Sequence, residues 1–271
     1  MTIVRTVAEY RALGLDDVGF VPTMGALHEG HCSLVRAAAS PHKNRVVSIF
    51  VNPTQFGPHE DLSRYPRTFD LDVERASAAG ANVIFAPTVE EMYPHLPTMI
   101  HVPGLTEHFE GRTRPGHFDG VATIVAKLFN VVQPRVAYFG QKDLQQCAVV
   151  TKMVADLNLP VRVQIEPTIR EADGLAMSSR NVYLSPEHRA LSPQIYQQLC
   201  ITRDQILGGI SPSSAQEDAI HVLSQSGFEV DYFALIDRQT FTPTGSVTNS
   251  SAIIAAVKIG TTRLIDNILF N

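Results

Sequence analysis

Two histidines three residues apart, His28 and His31 in "VPTMGALHEGH" (21–31), stand after a strand-like apolar run and before the helix-like "CSLVRAAAS". Imidazoles so placed can bind a metal, exchange protons or donate hydrogen bonds to phosphate. A zinc-protease helix spaces its histidines four apart in His-Glu-x-x-His; here they are three apart with Gly30 between them, so that motif is not matched. Gly25 and Gly30 permit close backbone approach to a ligand, which favours a phosphate-binding turn, although two histidines on an exposed loop would look the same.

Three further segments carry groups of the same kind. In "FVNPTQFGPHEDLSRYPRT" (50–68), Asn52 and Gln55 can each offer an amide donor and acceptor to a carboxylate or hydroxyl; a strand-end Asn before Pro is equally a turn device. In "FGQKDLQQC" (139–147), Lys142 can meet phosphates, Asp143 a ribose or cation, and Gln146 follows Asp143 by about one helical turn. The alternative there is a helix start with Asp143 as cap and Lys142 in solvent. In "MSSRN" (177–181), Ser178, Ser179 and Arg180 can wrap polyphosphate, as a Ser-rich linker would also suggest by its letters.

The elements that must hold these groups alternate. Strand-like runs at 18–23, 46–52, 82–87, 136–140 and 161–167 read as buried strands, and helix-like segments at 30–39, 68–79, 117–132 and 143–157 lie between them. This predicts an α/β fold: a Rossmann-like parallel sheet covered by helices, whose ligands bind where strands end and helices begin. Beyond about residue 170 the pattern changes to helix-like stretches at 186–207 and 213–226, followed by alternating "FEVDYFALID" and "SAIIAAVKIG…TRLIDNILF". We therefore expect a domain over 1–170 and a smaller α+β domain over 171–271, with 244–252 as a loop.

Composition narrows the class of protein. The 271 residues, 44% hydrophobic and 18% charged, can bury a substantial core. A formal charge of −5 without a basic block argues against an extended nucleic-acid face, and no run approaches the roughly 18 apolar residues of a membrane span. Cys32, Cys147 and Cys200 are odd in number and unpaired by spacing, which fits a reducing cytoplasm.

With "PTMGALHEGH", "VSIFVNPTQFGPHEDLSRYPRT", "RPGHFDGV", "YFGQKD.QQ" and "READGLAMSSRN" in this order, the chain resembles the pantoate–β-alanine ligase family. The match covers residues 18–185 and returns at "KIGTTRLIDNI" (258–268). The resemblance implies a cytoplasmic, Mg²⁺- and ATP-dependent homodimeric enzyme of the HIGH-type nucleotidyltransferase superfamily, with a small C-terminal lid. Its substrates would be pantoate, β-alanine and ATP, with no nucleic-acid or membrane partner. Pantoate's carboxylate would attack the α-phosphate of ATP to give pantoyl adenylate and pyrophosphate, and β-alanine's amine would then release pantothenate and AMP.

Carried onto matching positions, the resemblance places Gln55 and Gln146 on pantoate, with Asn52, Tyr65 and Arg114 as further pocket positions. It places Met24, His28, His31, Gly140, Lys142, Asp143, Met177, Ser178, Ser179 and Arg180 on ATP, with His28, His31, Lys142 and Arg180 also catalytic, and Asp72 near magnesium. Gln141, Leu144 and Cys32 depart from the usual family residues without removing any of these groups.

Overall fold

The computed structural model describes residues 1–58 and 60–270. These group into two compact units, Met1–Gln141 with Gln145–Pro167, and Lys142–Leu144 with Thr168–Asn271. In chain order the first part holds β1 (Thr2–Val4), α1 (Val7–Ala12), β2 (Val18–Thr23), α2 (Glu29–Ala39), β3 (Asn44–Ile49), α3 (Phe69–Ala78), β4 (Val83–Phe85), α4 (Val89–Met92), α5 (Glu110–Thr113), α6 (His117–Val132), β5 (Val136–Gly140), α7 (Leu144–Asp156) and β6 (Arg162–Glu166). There follow α8 (Pro186–Leu191), α9 (Gln194–Leu207), α10 (Pro212–Gln225), β7 (Glu229–Asp237), β8 (Thr242–Pro243), β9 (Ser251–Ile259) and β10 (Thr262–Leu269).

The first unit is built on a six-stranded sheet in the order β1-β4-β3-β2-β5-β6, with every pairing parallel. Its central strands are apolar on both faces because helices cover both. Val21, Val47, Ile84 and Tyr138 pack with Leu34, Val35, Ala38 and Ala76 of α2 and α3. From alternate positions Phe20 and Phe139 meet Phe129 of α6 edge-on, at 6.4 and 6.5 Å between ring centres, and Phe85 meets Tyr10 of α1 at 5.5 Å. Successive side chains of a strand point to opposite faces, so this alternation assigns the two layers directly.

Strand order decides where a ligand can sit. From β2 the chain adds β3 and then β4 on one side, and only afterwards returns to place β5 against the other side of β2. The loops that leave β2 and β5 therefore diverge, and in sheets of this kind ligands bind at such a switch point. Those loops are "MGALHEGH" and "QKD".

The elements differ from the sequence expectation in instructive places. An edge strand and a helix, β1 and α1, precede residue 18, where no element is expected; Thr6 and Glu9 cap α1 reciprocally. Strand β3 ends at Ile49 rather than 52, because Asn52 caps a tight 3₁₀ turn at Pro53–Gln55. Strand β6 is an edge strand with Ile165 exposed, so its apolar run is not buried on both faces. The expected helix over 186–207 is two helices, broken at Ser192–Pro193, where proline cannot donate a helical hydrogen bond.

The second unit has a four-stranded antiparallel sheet, β10-β9-β7-β8, with α9 and α10 on it. Leu199 and Leu223 from the helices close on Phe233, Leu235, Ile253 and Val257. Arg170 is fixed to Asp266 of β10 by two hydrogen bonds, of 2.6 and 2.9 Å, and its guanidinium lies 3.5 Å from the ring centre of Tyr196. It also donates to the Gly174 carbonyl at 3.1 Å, tying down the "READG" turn. None of the described helices is long and apolar enough to cross a membrane.

Removing one member of a mostly buried ion pair leaves its partner charged and unpaired, at a cost of about 3 kcal/mol. Asp266→Ala is therefore expected to lower the urea midpoint of the intact chain, followed by circular dichroism; a wild-type midpoint would show that the pair does not anchor this unit.

Candidate active site

At the end of β2 the chain makes a turn that few sequences can adopt. Gly25 (φ +80°) and Ala26 (φ +50°) are successively left-handed. Asp72 of α3, fully buried, holds them there: its carboxylate accepts the amides of Ala26 at 2.9 Å and Leu27 at 2.7 Å, and the Thr68 hydroxyl at 3.1 Å. A side chain at Gly25 would stand 3.0 Å from that same carboxylate and 3.2 Å from Ile49. Arg75, one turn further along α3, donates to the Leu27 carbonyl.

The turn delivers His28 as the N-cap of α2. His28 Nδ1 accepts the Gly30 amide at 3.1 Å, and the His28 amide donates to His31 Nδ1 at 3.2 Å. The two histidines thus form a reciprocal capping box, with rings 4.1 Å apart. Since both Nδ1 atoms accept, each neutral ring carries its proton on Nε2, as a donor suited to an anion at a helix N-terminus. Burial raises the neighbouring Cys32 thiol above its usual range, so at neutral pH it is a packed thiol rather than a nucleophile.

The 3₁₀ turn after β3 places Gln55, which is buried. Its amide nitrogen lies 3.0 Å from Met24 Sδ, and its oxygen accepts from Asn52 Nδ2 at 3.1 Å. Asn52 is itself saturated: the same nitrogen reaches the Gly120 carbonyl at 3.2 Å, and its oxygen accepts the hydroxyls of Thr54 and Tyr93, both at 2.9 Å. Asn52 thereby supports the Gln55 side chain. Helix α6 comes so close to this turn that a Cβ at Gly120 would lie 2.3 Å from the Thr54 carbonyl oxygen, which explains the glycine of "HFDGV".

Arg114 is equally engaged. Glu60 grips its Nε and Nη2 at 2.7 and 2.6 Å, its Nη1 lies 3.0 Å from His117 Nε2, and Nη2 reaches the Gln55 carbonyl at 3.4 Å. Burial raises the Glu60 carboxyl, but the hydrogen bonds and charge of Arg114 outweigh it and hold the group below the usual range. Tyr65 is buried and packs edge-on against Phe56 at 5.9 Å. So of the pocket positions suggested by the sequence, Asn52 and Arg114 both bond to Gln55, and Tyr65 packs on the adjacent Phe56.

Strand β5 ends at Gly140, where an added Cβ would meet nothing within 4 Å. Of the two glutamines that follow, Gln145 is buried and spends its amide on the Leu105 and His108 carbonyls (2.8 and 2.9 Å) and the Glu110 amide (3.0 Å), while Gln146 is half-buried. Sequence reasoning does not single out Gln145, Gly120, His117 or Glu60. The motif "RPGHFDGV" contains two of them, and its glycine was the available signal.

In the second unit, Lys142 lies 3.7 Å from Asp143, and the Lys142 carbonyl accepts from Asn267 Nδ2 at 3.0 Å. "MSSRN" starts a 3₁₀ turn over Ser179–Tyr183, capped by Ser178 Oγ, which accepts the Arg180 amide at 3.2 Å. The Met177 amide donates to the Ile169 carbonyl, and the Asn181 side chain donates to the Ala176 carbonyl. Asp266 and Asn267 of "RLIDN" therefore hold "READG" and "QKD" respectively.

The Asp72 carboxylate, which accepts two amides and a hydroxyl, is the anchor of this turn. Among the described residues, no three His, Cys, Asp or Glu side chains converge to hold a metal ion.

A parallel sheet whose switch-point strand β2 runs into a histidine-capped helix is an α/β arrangement suited to an anionic small molecule. The chain belongs to the pantoate-beta-alanine ligase family, which it matches over residues 2–269, and whose members are AMP-forming ligases. It is 47% identical to the pantothenate synthetase of Stutzerimonas stutzeri, over 99% of this chain and 98% of that one. The crystal structure of pantothenate synthetase from Thermus thermophilus superposes with a TM-score of 0.96 at 48% identity, covering 99% of both chains. A pantoate-beta-alanine ligase from Francisella tularensis, solved in complex with beta-gamma ATP and beta-alanine, is 32% identical with a TM-score of 0.85, over 99% of this chain and 97% of that one.

If Asp72 anchors the turn, Asp72→Ala strands two buried amides and should cost about 2–3 kcal/mol in thermal or urea unfolding, with no change in the magnesium concentration that half-saturates activity. A magnesium ligand would give the reverse pattern. A second expectation concerns pH. Burial, then the Arg114 charge, push the His117 imidazole down to about 4, against the favourable carbonyl of Gln55 and carboxylates of Glu110 and Glu60. An unfolded histidine titrates near 6.5, so on acidification the unfolded chain takes up the proton first. The stability this residue contributes is complete above about pH 6.5 and is lost between 6.5 and 4, by up to about 3 kcal/mol. Urea midpoints should fall across that window, and fall less steeply in His117→Asn.

Proposed function

We propose that the chain joins pantoate to β-alanine through a pantoyl adenylate, with ATP as the activating substrate. The observation that carries this reading is the switch point of the sheet, where the histidine-capped start of α2 follows β2 and the "GQKD" loop follows its neighbour β5. A carboxylate cannot expel oxide to form an amide; transfer to the α-phosphate of ATP gives it a leaving group, and pyrophosphate departs. The amine of β-alanine then attacks the activated carbonyl, the bond to AMP breaks, and the amine's proton goes to solvent or a nearby base.

No protein nucleophile is needed, so the residues work by placement and charge. In this reading Gln55 and Gln146 hold pantoate's hydroxyl and carboxylate for in-line attack. The Nε2–H donors of His28 and His31 meet phosphate oxygens, aided by the amide dipoles of the α2 N-terminus. Met24 and the open backbone at Gly140 border the nucleotide, and Asp143 takes the ribose. Lys142 neutralises charge as it grows on the phosphate, and Met177, Ser178, Ser179 and Arg180 serve the β- and γ-phosphates.

Magnesium is assigned to the ATP phosphates and water, with no step routed through it, since the Asp72 carboxylate already accepts two amides and a hydroxyl. A C-terminal lid beginning near residue 171, a homodimer and a cytoplasmic site of action complete the proposal, on the strength of the family resemblance.

The test is pantoate-dependent exchange of labelled pyrophosphate into ATP, followed by β-alanine-dependent AMP release. Exchange is expected in the first assay and turnover in the second; a well-folded protein with neither overturns the proposal. Lys142→Ala should lower the single-turnover rate of adenylate formation by about a hundredfold or more, as removal of a positioned cation does elsewhere, and a wild-type rate would reject its role.

A further inference from the structure

His117 is a buried titratable group that the reaction as described does not use. Its two ring nitrogens have partners that admit only one protonation pattern. Nε2 faces Arg114 Nη1 at 3.0 Å, and a guanidinium can only donate, so Nε2 must accept. Nδ1 faces the Gln55 carbonyl oxygen at 2.8 Å, which can only accept, so Nδ1 must carry the proton. The other tautomer fails at both contacts, and an imidazolium would turn an N–H toward Arg114. The Arg114 fork is in turn locked by both oxygens of Glu60.

The same helix that carries His117 closes on the turn a second time, through the Gly120 carbonyl to Asn52 and the contact of Gly120 with Thr54. Asn52, which supports the Gln55 side chain, and the Gln55 backbone are thus both clamped to the first turns of α6. A carbonyl held at 2.8 Å by a directional N–H fixes the peptide plane after Gln55, and through it the starting direction of the Gln55 side chain.

We propose that His117 is a positioning residue for pantoate: as the Nδ1–H tautomer it clamps the Gln55 carbonyl, with Arg114 and Glu60 holding the ring in register. The proposal deepens, and rests on, the reading of Gln55 as a pantoate contact. It is independent of the ATP contacts, so its signature is selective for one substrate.

Two near-isosteric substitutions separate the ring nitrogens. Asn places an N–H where Nδ1 stands, and Gln places its amide where Nε2 stands. His117→Gln, which loses the donor to Gln55, should raise the pantoate KM by about tenfold, the worth of one directed hydrogen bond, with the ATP KM within about twofold. His117→Asn, which keeps that donor, should return the pantoate KM to within about threefold of wild type. Added to Gln55→Ala, His117→Gln should cost little more, because both act on one group.

Equal changes in the two KM values, full additivity with Gln55→Ala, or no rescue by Asn would overturn the proposal. If Gln55→Ala raises the pantoate KM while His117→Gln does not, the clamp alone is rejected; an unchanged pantoate KM in Gln55→Ala rejects the underlying role of Gln55 and the clamp with it. Should His117→Gln fail to fold, Glu60→Gln at the more exposed end of the chain of contacts provides the same test, with an expected pantoate-specific rise of about two- to fivefold. A folded Glu60→Gln with wild-type pantoate KM would refute it.

Discussion

The Asp72 carboxylate, shut away from water and filled by two backbone amides and a hydroxyl, is the constraint on which the arrangement at the end of β2 depends. The chain must leave the sheet through two left-handed residues, a conformation costly for Ala26, before it can begin α2 with a histidine at the cap. Charged hydrogen bonds to amides are among the stronger ones a protein makes, and in a buried setting they offset that strain. The turn then stands preformed, and the histidine pair needs no ligand to order it. An enzyme that stabilises developing phosphate charge gains from donors already in place, because no reorganisation is required during the reaction.

A second regularity runs through both units: buried polar side chains are committed to fixed partners. Gln145 is buried under three backbone partners while Gln146 beside it is half-buried. Asn52 has its oxygen and nitrogen filled so that Gln55, three residues on, is held in one place. Arg114, by charge a natural carboxylate binder, gives its fork to Glu60. Buried polar groups are tolerable only when satisfied, and satisfied groups are rigid. Saturated in this way, Asn52 makes a stiff backing for Gln55. In the second unit the same economy appears in two adjacent residues of β10, where Asp266 binds Arg170 and Asn267 binds the Lys142 carbonyl.

Much of the fold was legible from periodicity. The five apolar runs and the helices between them are regular, and a parallel sheet covered on both faces follows from that alternation. The misplaced boundaries fall where one residue outweighs local propensity, as Asn52–Pro53 does in ending β3 and Pro193 in dividing α8 from α9. Strand β1 is three residues long and carries no pattern of its own; it exists because the exposed edge of β4 pairs with it.

By itself, the sequence determined which groups are present and which lie close along the chain: the histidine pair at a strand-to-helix turn, the lysine loop, the serine–arginine segment, and the family to which they belong. Tertiary structure alone decided which distant side chains and backbone groups each residue meets. Asp72 and Arg114 have the right chemistry for a cation or a carboxylate, and residues 45 to 54 positions away bond to them; no local pattern encodes a hydrogen bond across such a separation. The same holds for His117, whose tautomer is set by partners on two other segments of the chain. Side-chain identity limits what a residue can do, whereas burial and long-range pairing choose among those possibilities.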